Sequence, residues 1–597
     1  MMTMETHKIE SEVRRIRELV QAARGDRPCD LVVRGGSVIN VFTGEIIRAD
    51  VGILGEQIAV VTGDGTIDAT QTIDANGLFL SPGLIDAHIH LESTMLTPAE
   101  FARFVLPRGT TAVVTDPHEL ANVAGKEGIR ELITASENLP VRFYVMIPSC
   151  VPASEFETSA ARLDVTDISE LSREPAVIGL GEMMDFNAVL SGSEEALRKL
   201  ASARDKVVDG HCPGLSGREL QAYVAAGIDS EHQATDFREG LEKLRAGMHL
   251  MIREGSAAKD FDKLIDLIKP QTVDRCMLVS DDLLAVDLEE LGHMDQLLRH
   301  AVRHGIDAVQ ALRMATVNPA KRFGLRRIGA VAPGYNADIV AFKDLSDFEA
   351  AFVIAKGKPV ASDGQVIVEL HEHSFGDALL NTVHLPDLTA EKLEIPASEG
   401  LANVIQAADG RIITGRLLIE PTVLSGLVIS DVERDILKIV VVERHGMNGN
   451  ITLGLVNGFG LKSGAFASSV AHDAHNVVAV GTKDLDILCA IQRVGEMNGG
   501  LAVADEGRII ADLPLPIAGL ISTSKAGKTT AQFRRLEDAV RRIGSQMKHP
   551  FMTLSFMCLS VIPELKITDR GLVDVGGSRI IPLFTGTKAE AEHTAVG

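Results

Sequence analysis

Residues 78–92 read LFLSPGLIDAHIHLE, and the fold turns on how they are parsed. An apolar run, Leu78-Phe79-Leu80, meets a Pro82-Gly83 break. A short apolar strand from Leu84 to Ala87 then ends in His88-Ile89-His90. Alternate side chains of a strand share a face, so the i, i+2 spacing aims both imidazoles into one space. That arrangement suits a metal ion. A lone H-x-H is also compatible with two ordinary histidines, and position decides between the readings, because α/β barrels place their chemistry at the C-terminal ends of strands.

Working outward, residues 84–327 alternate strand-like and helix-like patterns, as a (β/α)8 TIM-like barrel requires. Eight strand ends follow in succession at 83–90, 110–119, 141–148, 176–183, 206–214, 227–234, 249–255 and 276–282. Helices are expected between them, for example at 194–203, 217–226 and 260–268. Polar residues gather at the strand ends. His88 and His90 end the first, His118 and Glu119 follow the second, and Glu182 ends the fourth. His211, His232 and Glu254 end the next three, and Asp281 and Asp282 the eighth.

Before the barrel, residues 30–40, 45–55, 56–63 and 71–80 read as short strands bounded by Gly, Asp or Asn. A matching fragment, 334–342 and 351–358, returns after it. The expected organisation is an N-terminal amphipathic helix (1–28), a split β-sandwich (29–83 plus 330–370) and the inserted barrel (84–329). A C-terminal α+β domain (371–597) follows, opening on a polar linker, 371–399. In the helix, Ile9, Val13, Ile16, Val20 and Ala23 are spaced to pack on the body.

The chain has 597 residues and a formal charge of −23, with a pI near 5.3 and a mean hydropathy of +0.14. This acidic balance repels phosphate backbones, so a nucleic-acid partner is not expected. No apolar run approaches the ~20 residues of a membrane span, and the N-terminus lacks an apolar signal core. Six scattered cysteines without a C-x-x-C pair predict free thiols in a reducing, cytoplasmic setting. A buried small hydrophobe is the expected role of Cys212. Residues 524–529, SKAGKT, end like a phosphate loop, but Ser522 stands where the pattern requires Gly, which excludes it. The basic residues Lys321, Arg322, Arg326 and Arg327 read as a solvated face or inter-domain contact.

Histidines and carboxylates at strand ends match the ligand set for two divalent ions. His88 and His90 hold one, His211 and His232 the other, and Glu182 bridges them. Imidazole and carboxylate suit zinc, manganese or iron(II). Asp281 closes the set, since a carboxylate beside a metal-bound water can orient it and accept its proton. Asp282 is the alternate, because adjacent residues of an extended strand face opposite ways. His472 and His475 admit two readings, a further metal site or a polar turn.

PGLIDAHIHLE, the lone histidines after the fifth and sixth strands, and the aspartate after the eighth resemble the amidohydrolase superfamily. Many of its members bridge their metals with a carboxylated lysine at the fourth strand, where this chain has Glu182. TDPHE at 115–119, GLGEMM at 179–184, DGHCPGLSG at 209–217, SEHQ at 230–233, VSDD at 279–282 and AHDAHN at 471–476 together resemble the microbial adenine deaminase family. The resemblance runs from about Cys29 through the C-terminal domain. It implies conversion of adenine to hypoxanthine and ammonia, with manganese as the metal. It also implies substrate contacts from His118, Glu119, Asp282, His472 and His475, the C-terminal domain reaching over the barrel mouth. Catalysis is then assigned to Asp281, Glu182, His118 and Glu119. Two rival expectations stand beside this one: a cyclic-amide hydrolase of the hydantoinase or dihydroorotase type, and a barrel that has lost catalysis and serves in binding. A homo-oligomer is expected on general grounds.

Overall fold

The computed structural model describes residues 2–409 and 411–585, so Met1, Gly410 and the 586–597 end of the expected C-terminal domain lie outside the described residues. The first strands form a nine-stranded sheet from both flanks of the barrel. Phe79–Pro82 runs antiparallel to Ile339–Phe342, with Pro82 opposite Ile339. The chain therefore leaves this sheet and re-enters it at neighbouring positions. Gly83 makes the exit possible, because a Cβ there would meet Thr111 Oγ1 at 2.0 Å.

Eight parallel strands follow: β1 (Leu84–Ile89), β2 (Thr110–Thr115), β3 (Arg142–Ile147), β4 (Val177–Met183), β5 (Val207–Gly210), β6 (Ser230–Glu231), β7 (His249–Arg253) and β8 (Cys276–Val279). Strands β1 to β5 pair consecutively, as do β6 to β8. A parallel bridge from Ile89 to Asp281 brings β8 back to β1, and Gly210 N donates to Ser230 Oγ between β5 and β6. The result is a TIM-like barrel. Each of the eight expected segments contains a strand, although β6 shrinks to two residues. Helices Glu194–Ser202 and Gly217–Ala225 match expectation, while 260–268 divides into Phe261–Leu264 and the tighter turn Ile265–Leu267. Ala87, Val114, Met146, Met251, Met277 and Val279 form an apolar cluster from five strands. Side chains fill the barrel, and polar residues gather at the C-terminal ends of its strands.

The C-terminal segment centres on an eight-stranded sheet running from Gly415–Ile419 at one edge to Arg508–Pro514 at the other. Its apolar core is continuous with the barrel mouth, joining Met95, Cys150, Met184 and Leu284 to Phe551, Phe556 and Met557. The stretch 371–399 is more than a linker. It carries short helical turns at Asp377–Leu380 and Ala390–Leu393, which bury Leu379 and Leu393.

Two expectations are corrected. The N-terminal helix forms (α1, Met2–Arg24), but Ile9, Val13, Ile16 and Val20 face solvent, and among the described side chains Leu19 and Ala22 join the core beneath it. Arg322 is not on a solvated face. It is buried, bonding Val208 O, Asp209 and Asp229. No described helix is long and apolar enough to cross a membrane.

Candidate active site

The strand ends converge on Glu182. Its Oε1 lies 3.1 Å from His88 Nε2 and 2.9 Å from His90 Nε2, and its Oε2 lies 3.4 Å from His232 Nε2 and also contacts His211 Nδ1. Asp281 Oδ1 approaches from β8, 3.3 Å from His90 Nε2 and 3.8 Å from His88 Nε2. All six residues are buried.

Local backbone and partner groups set this geometry. A backbone carbonyl only accepts, so the 3.0 Å contact of His90 Nδ1 with Asp116 O places a ring proton on Nδ1 and turns Nε2 to the carboxylates. Asp116 also receives Glu182 N through its Oδ2, at 2.9 Å. Gly181 admits that carboxylate, since a Cβ there would lie 2.0 Å from Asp116 Oδ2. Beneath β1, Asp86 accepts from His88 N and Ser280 N and contacts His293 Nε2, tying the polar ends of β1 and β8 together. Arg253 Nη1 holds Asp281 Oδ2 at 2.9 Å and leaves Oδ1 turned to the histidines.

Burial raises the cost of charge on Glu182, yet the surrounding His232 and His211 hold its carboxyl well below the usual range. Asp281 behaves alike, its burial outweighed by His90, His232 and Arg253. His88 Nε2, His211 Nε2, His232 Nε2 and Glu182 Oε1 have no hydrogen-bond partner among the described residues. Buried groups are almost always paired. Imidazoles and ionised carboxylates with unspent lone pairs, converging from several strands, fit a divalent metal.

A second cluster adjoins the first. His118 Nε2 lies 3.4 Å from Asp473 Oδ1 of the C-terminal segment. Burial and nearby His90 pull the His118 imidazole down, but Asp473 and Asp116 prevail and raise it to about 10. Glu119 Oε1 is 3.9 Å from His472 Nδ1, and its Oε2 is 3.5 Å from His475 Nε2. Ser93 Oγ sits 3.1 Å from Glu119 Oε1 and 2.5 Å from Asp282 Oδ1. Burial raises both Glu119 and Glu92, the latter to about 8. The Phe556 ring stacks over His472 with centroids 5.4 Å apart.

The reading of His472 and His475 as a further metal site meets an obstacle. His475 Nδ1 accepts from Ala471 N at 3.1 Å, so the ring proton sits on Nε2, which faces Glu119 and has no lone pair to offer a cation.

The structure thus brings His88, His90, Glu182, His211, His232 and Asp281 together and sets His118, Glu119, His472 and His475 beside them. Asp281 and Asp282 line the same pocket. The expectation that only one could do so is corrected: β8 ends at Val279, and Asp281 adopts a left-handed φ of 59°, breaking the alternation of an extended strand. At the seventh strand Arg253 lines the pocket, not Glu254. Sequence reasoning missed Asp86, Ser93, Asp116, Arg253 and Asp473 as partners. Asp116 and Asp473 sit inside recognised motifs, whereas Ser93 and Arg253 carry no local signal.

A profile described as the amidohydrolase family matches residues 79–360, and one described as the adenine deaminase C-terminal domain matches 411–578. Adenine deaminase 2 of Carboxydothermus hydrogenoformans is 45% identical over 570 residues, covering 95% of this chain and 99% of that protein. Adenine deaminase of Methanothrix thermoacetophila is 46% identical, covering 96% of this chain and 100% of that protein. That of Archaeoglobus fulgidus is 44% identical, with 96% and 99% covered. Identity of this order, sustained from the first sheet through the C-terminal segment, places the chain in the adenine deaminase family of amidohydrolases.

Proposed function

We propose that this chain hydrolyses adenine to hypoxanthine and ammonia. The observation that carries the reading is the side-by-side placement of two buried clusters, Glu182–Asp281 among four histidines and His118–Asp473 with Glu119. When bound, the metal supplies an acidified water and polarisation at the reacting carbon. His88, His90, His211, His232, Glu182 and Asp281 would hold it. Two ions are proposed, with manganese favoured by the resemblance and iron(II) or zinc as alternatives.

In this reading Asp281 accepts the proton of the attacking water and returns it to the departing amine. Water adds to the ring carbon bearing the amino group, the carbon–nitrogen bond breaks, and ammonia leaves. His118, held by Asp473, donates to a ring nitrogen and stabilises charge building there. Glu119 and Asp282, joined through Ser93, orient the purine edge, and His472 under Phe556 offers a face to its plane. His475 supports Glu119. These roles make Asp281, Glu182, His118 and Glu119 the catalytic set. Glu182 at β4, where cyclic-amide hydrolases of the superfamily carry a modified lysine, favours deamination over ring opening.

We read the domains as an N-terminal helix (1–28), a split β-sandwich (29–83 plus 330–370), the barrel (84–329) and a C-terminal α+β domain (371–597). The cellular setting proposed is cytoplasmic purine salvage, by a homo-oligomer. Protein loaded separately with manganese, zinc and iron(II) is mixed with adenine while ammonia and the purine ultraviolet spectrum are followed. Ammonia release with a hypoxanthine spectrum, lost in His90→Ala and Asp281→Asn, supports the reading. Bound metal with adenine untouched and a cyclic amide opened would overturn it.

A further inference from the structure

Helix α1 is amphipathic, yet it turns the wrong face to the protein. Ile9, Val13, Ile16 and Val20 are 60%, 47%, 45% and 51% exposed, while the body is met by Leu19 and Ala22. At 100° per residue the apolar stripe points roughly 120° away from the buried one. Four β-branched side chains on one face, unused by their own protomer, require another surface to cover them.

Their spacing identifies that surface. Positions 9, 13, 16, 20 and 23 alternate steps of four and three, the a/d seam of a heptad repeat, with Ala23 closing it. A seam of this kind is self-complementary, and a two-fold axis sets the same patch of two copies against each other. Charge at its edge agrees. Glu10 and Arg17 lie seven residues apart on one flank, so antiparallel pairing sets Arg17 of each copy against Glu10 of the other. Among the described residues neither has an ion-pair partner, whereas Glu12 is already bonded to Arg15 within the helix. The mixed flank, on a chain of net charge −23, disfavours an anionic membrane surface.

We propose that α1 is a dimerisation element that pairs antiparallel with α1 of a second copy along Ile9, Val13, Ile16 and Val20. One helix per copy makes a small seam, so the association is concentration-dependent and of moderate strength. The proposal is independent of the reaction catalysed.

Sedimentation equilibrium of the full-length metal-loaded protein, over a series of concentrations, tests it. Wild type is expected to associate, and Val13→Glu with Ile16→Glu to halve the mass. Adenine turnover stays unchanged and the variant's thermal midpoint matches that of wild type diluted to single chains, because the altered side chains are exposed on α1 and lie outside the pocket lining. Arg17→Glu is expected to weaken association about 5-fold, and Glu10→Arg with Arg17→Glu to restore it, as exchange of a flanking ion pair requires. An unchanged mass in the double glutamate variant, a wild type that sediments as single chains throughout, or failure of the charge exchange to rescue would overturn the proposal. So would α1-dependent co-sedimentation with phosphatidylcholine vesicles, which would make the seam a lipid contact.

Discussion

Asp473, from the C-terminal segment, lies 3.4 Å from Nε2 of His118, which opens the helix after β2, and both side chains are buried. Two parts of the chain more than 350 residues apart thus share one hydrogen-bonded pair at the barrel mouth. The imidazolium is kept by the carboxylate, so the C-terminal segment lines the candidate site as well as packing on the barrel.

Replacing Asp473 by Asn keeps the shape but removes the charge. We expect kcat/KM for adenine to fall about 10- to 100-fold, as for loss of a charged orienting partner. Metal content measured by elemental analysis should be unchanged, because Asp473 touches none of the four converging histidines. A variant that lost its metal instead would contradict this division of roles.

Glu182→Gln should behave differently. An amide offers one weakly donating oxygen where a carboxylate with two oxygens now faces the histidines, and we expect metal affinity to drop roughly 100-fold or more. The checks are dialysis against a graded chelator series and activity after re-addition of excess metal, with activity recovering only in part.

Ser93 has one hydroxyl hydrogen and two carboxylate neighbours, Glu119 at 3.1 Å and Asp282 at 2.5 Å. Ser93→Ala leaves both carboxylates without that shared group in a buried site, a loss of about 1–3 kcal/mol. Denaturant unfolding should report that decrease, and kcat should fall more than KM rises, because the pair orients without supplying the main binding surface.

Lys566 is fully buried and donates to Ile412 O at 2.7 Å and Phe556 O at 2.9 Å, tying two walls of the pocket together. Burial pushes its amine down to about 7, with Cys558 opposing the shift slightly. In the unfolded chain a lysine titrates near ~10.4, so between pH about 7 and about 10 the unfolded state holds a proton that the folded state has released. Stability from this group therefore rises with pH across that window, and below about pH 7 the full cost of the buried charge remains. The stability of wild type relative to Lys566→Met should climb by on the order of 1 kcal/mol per pH unit between pH 7 and 9. A difference that stays flat with pH, measured by urea midpoints, would refute the assignment.

Much of the barrel was legible because its signals are local. Alternation of strands and helices, and a polar residue closing each strand, are printed in short segments such as TDPHE and GLGEMM, and fold class follows from them. The departures have local reasons too. Asp281 and Asp282 both enter the pocket because a left-handed residue breaks the strand's period, and periodicity assumes an unbroken strand.

Sequence alone determined the residue types that meet at the strand ends and their donor chemistry, since both depend on composition at fixed spacing, while the family came from the resemblance of whole motifs. Tertiary structure decided which partners serve them. Asp116 orients the ring of His90, Arg253 turns Asp281, and Asp473 arrives from a distant segment. Tertiary structure also decided which face of α1 is free, since periodicity marks a stripe but not the neighbour that covers it. Contacts between residues hundreds of positions apart arise from packing of whole layers, and no local pattern encodes the distance at which two side chains finally stand.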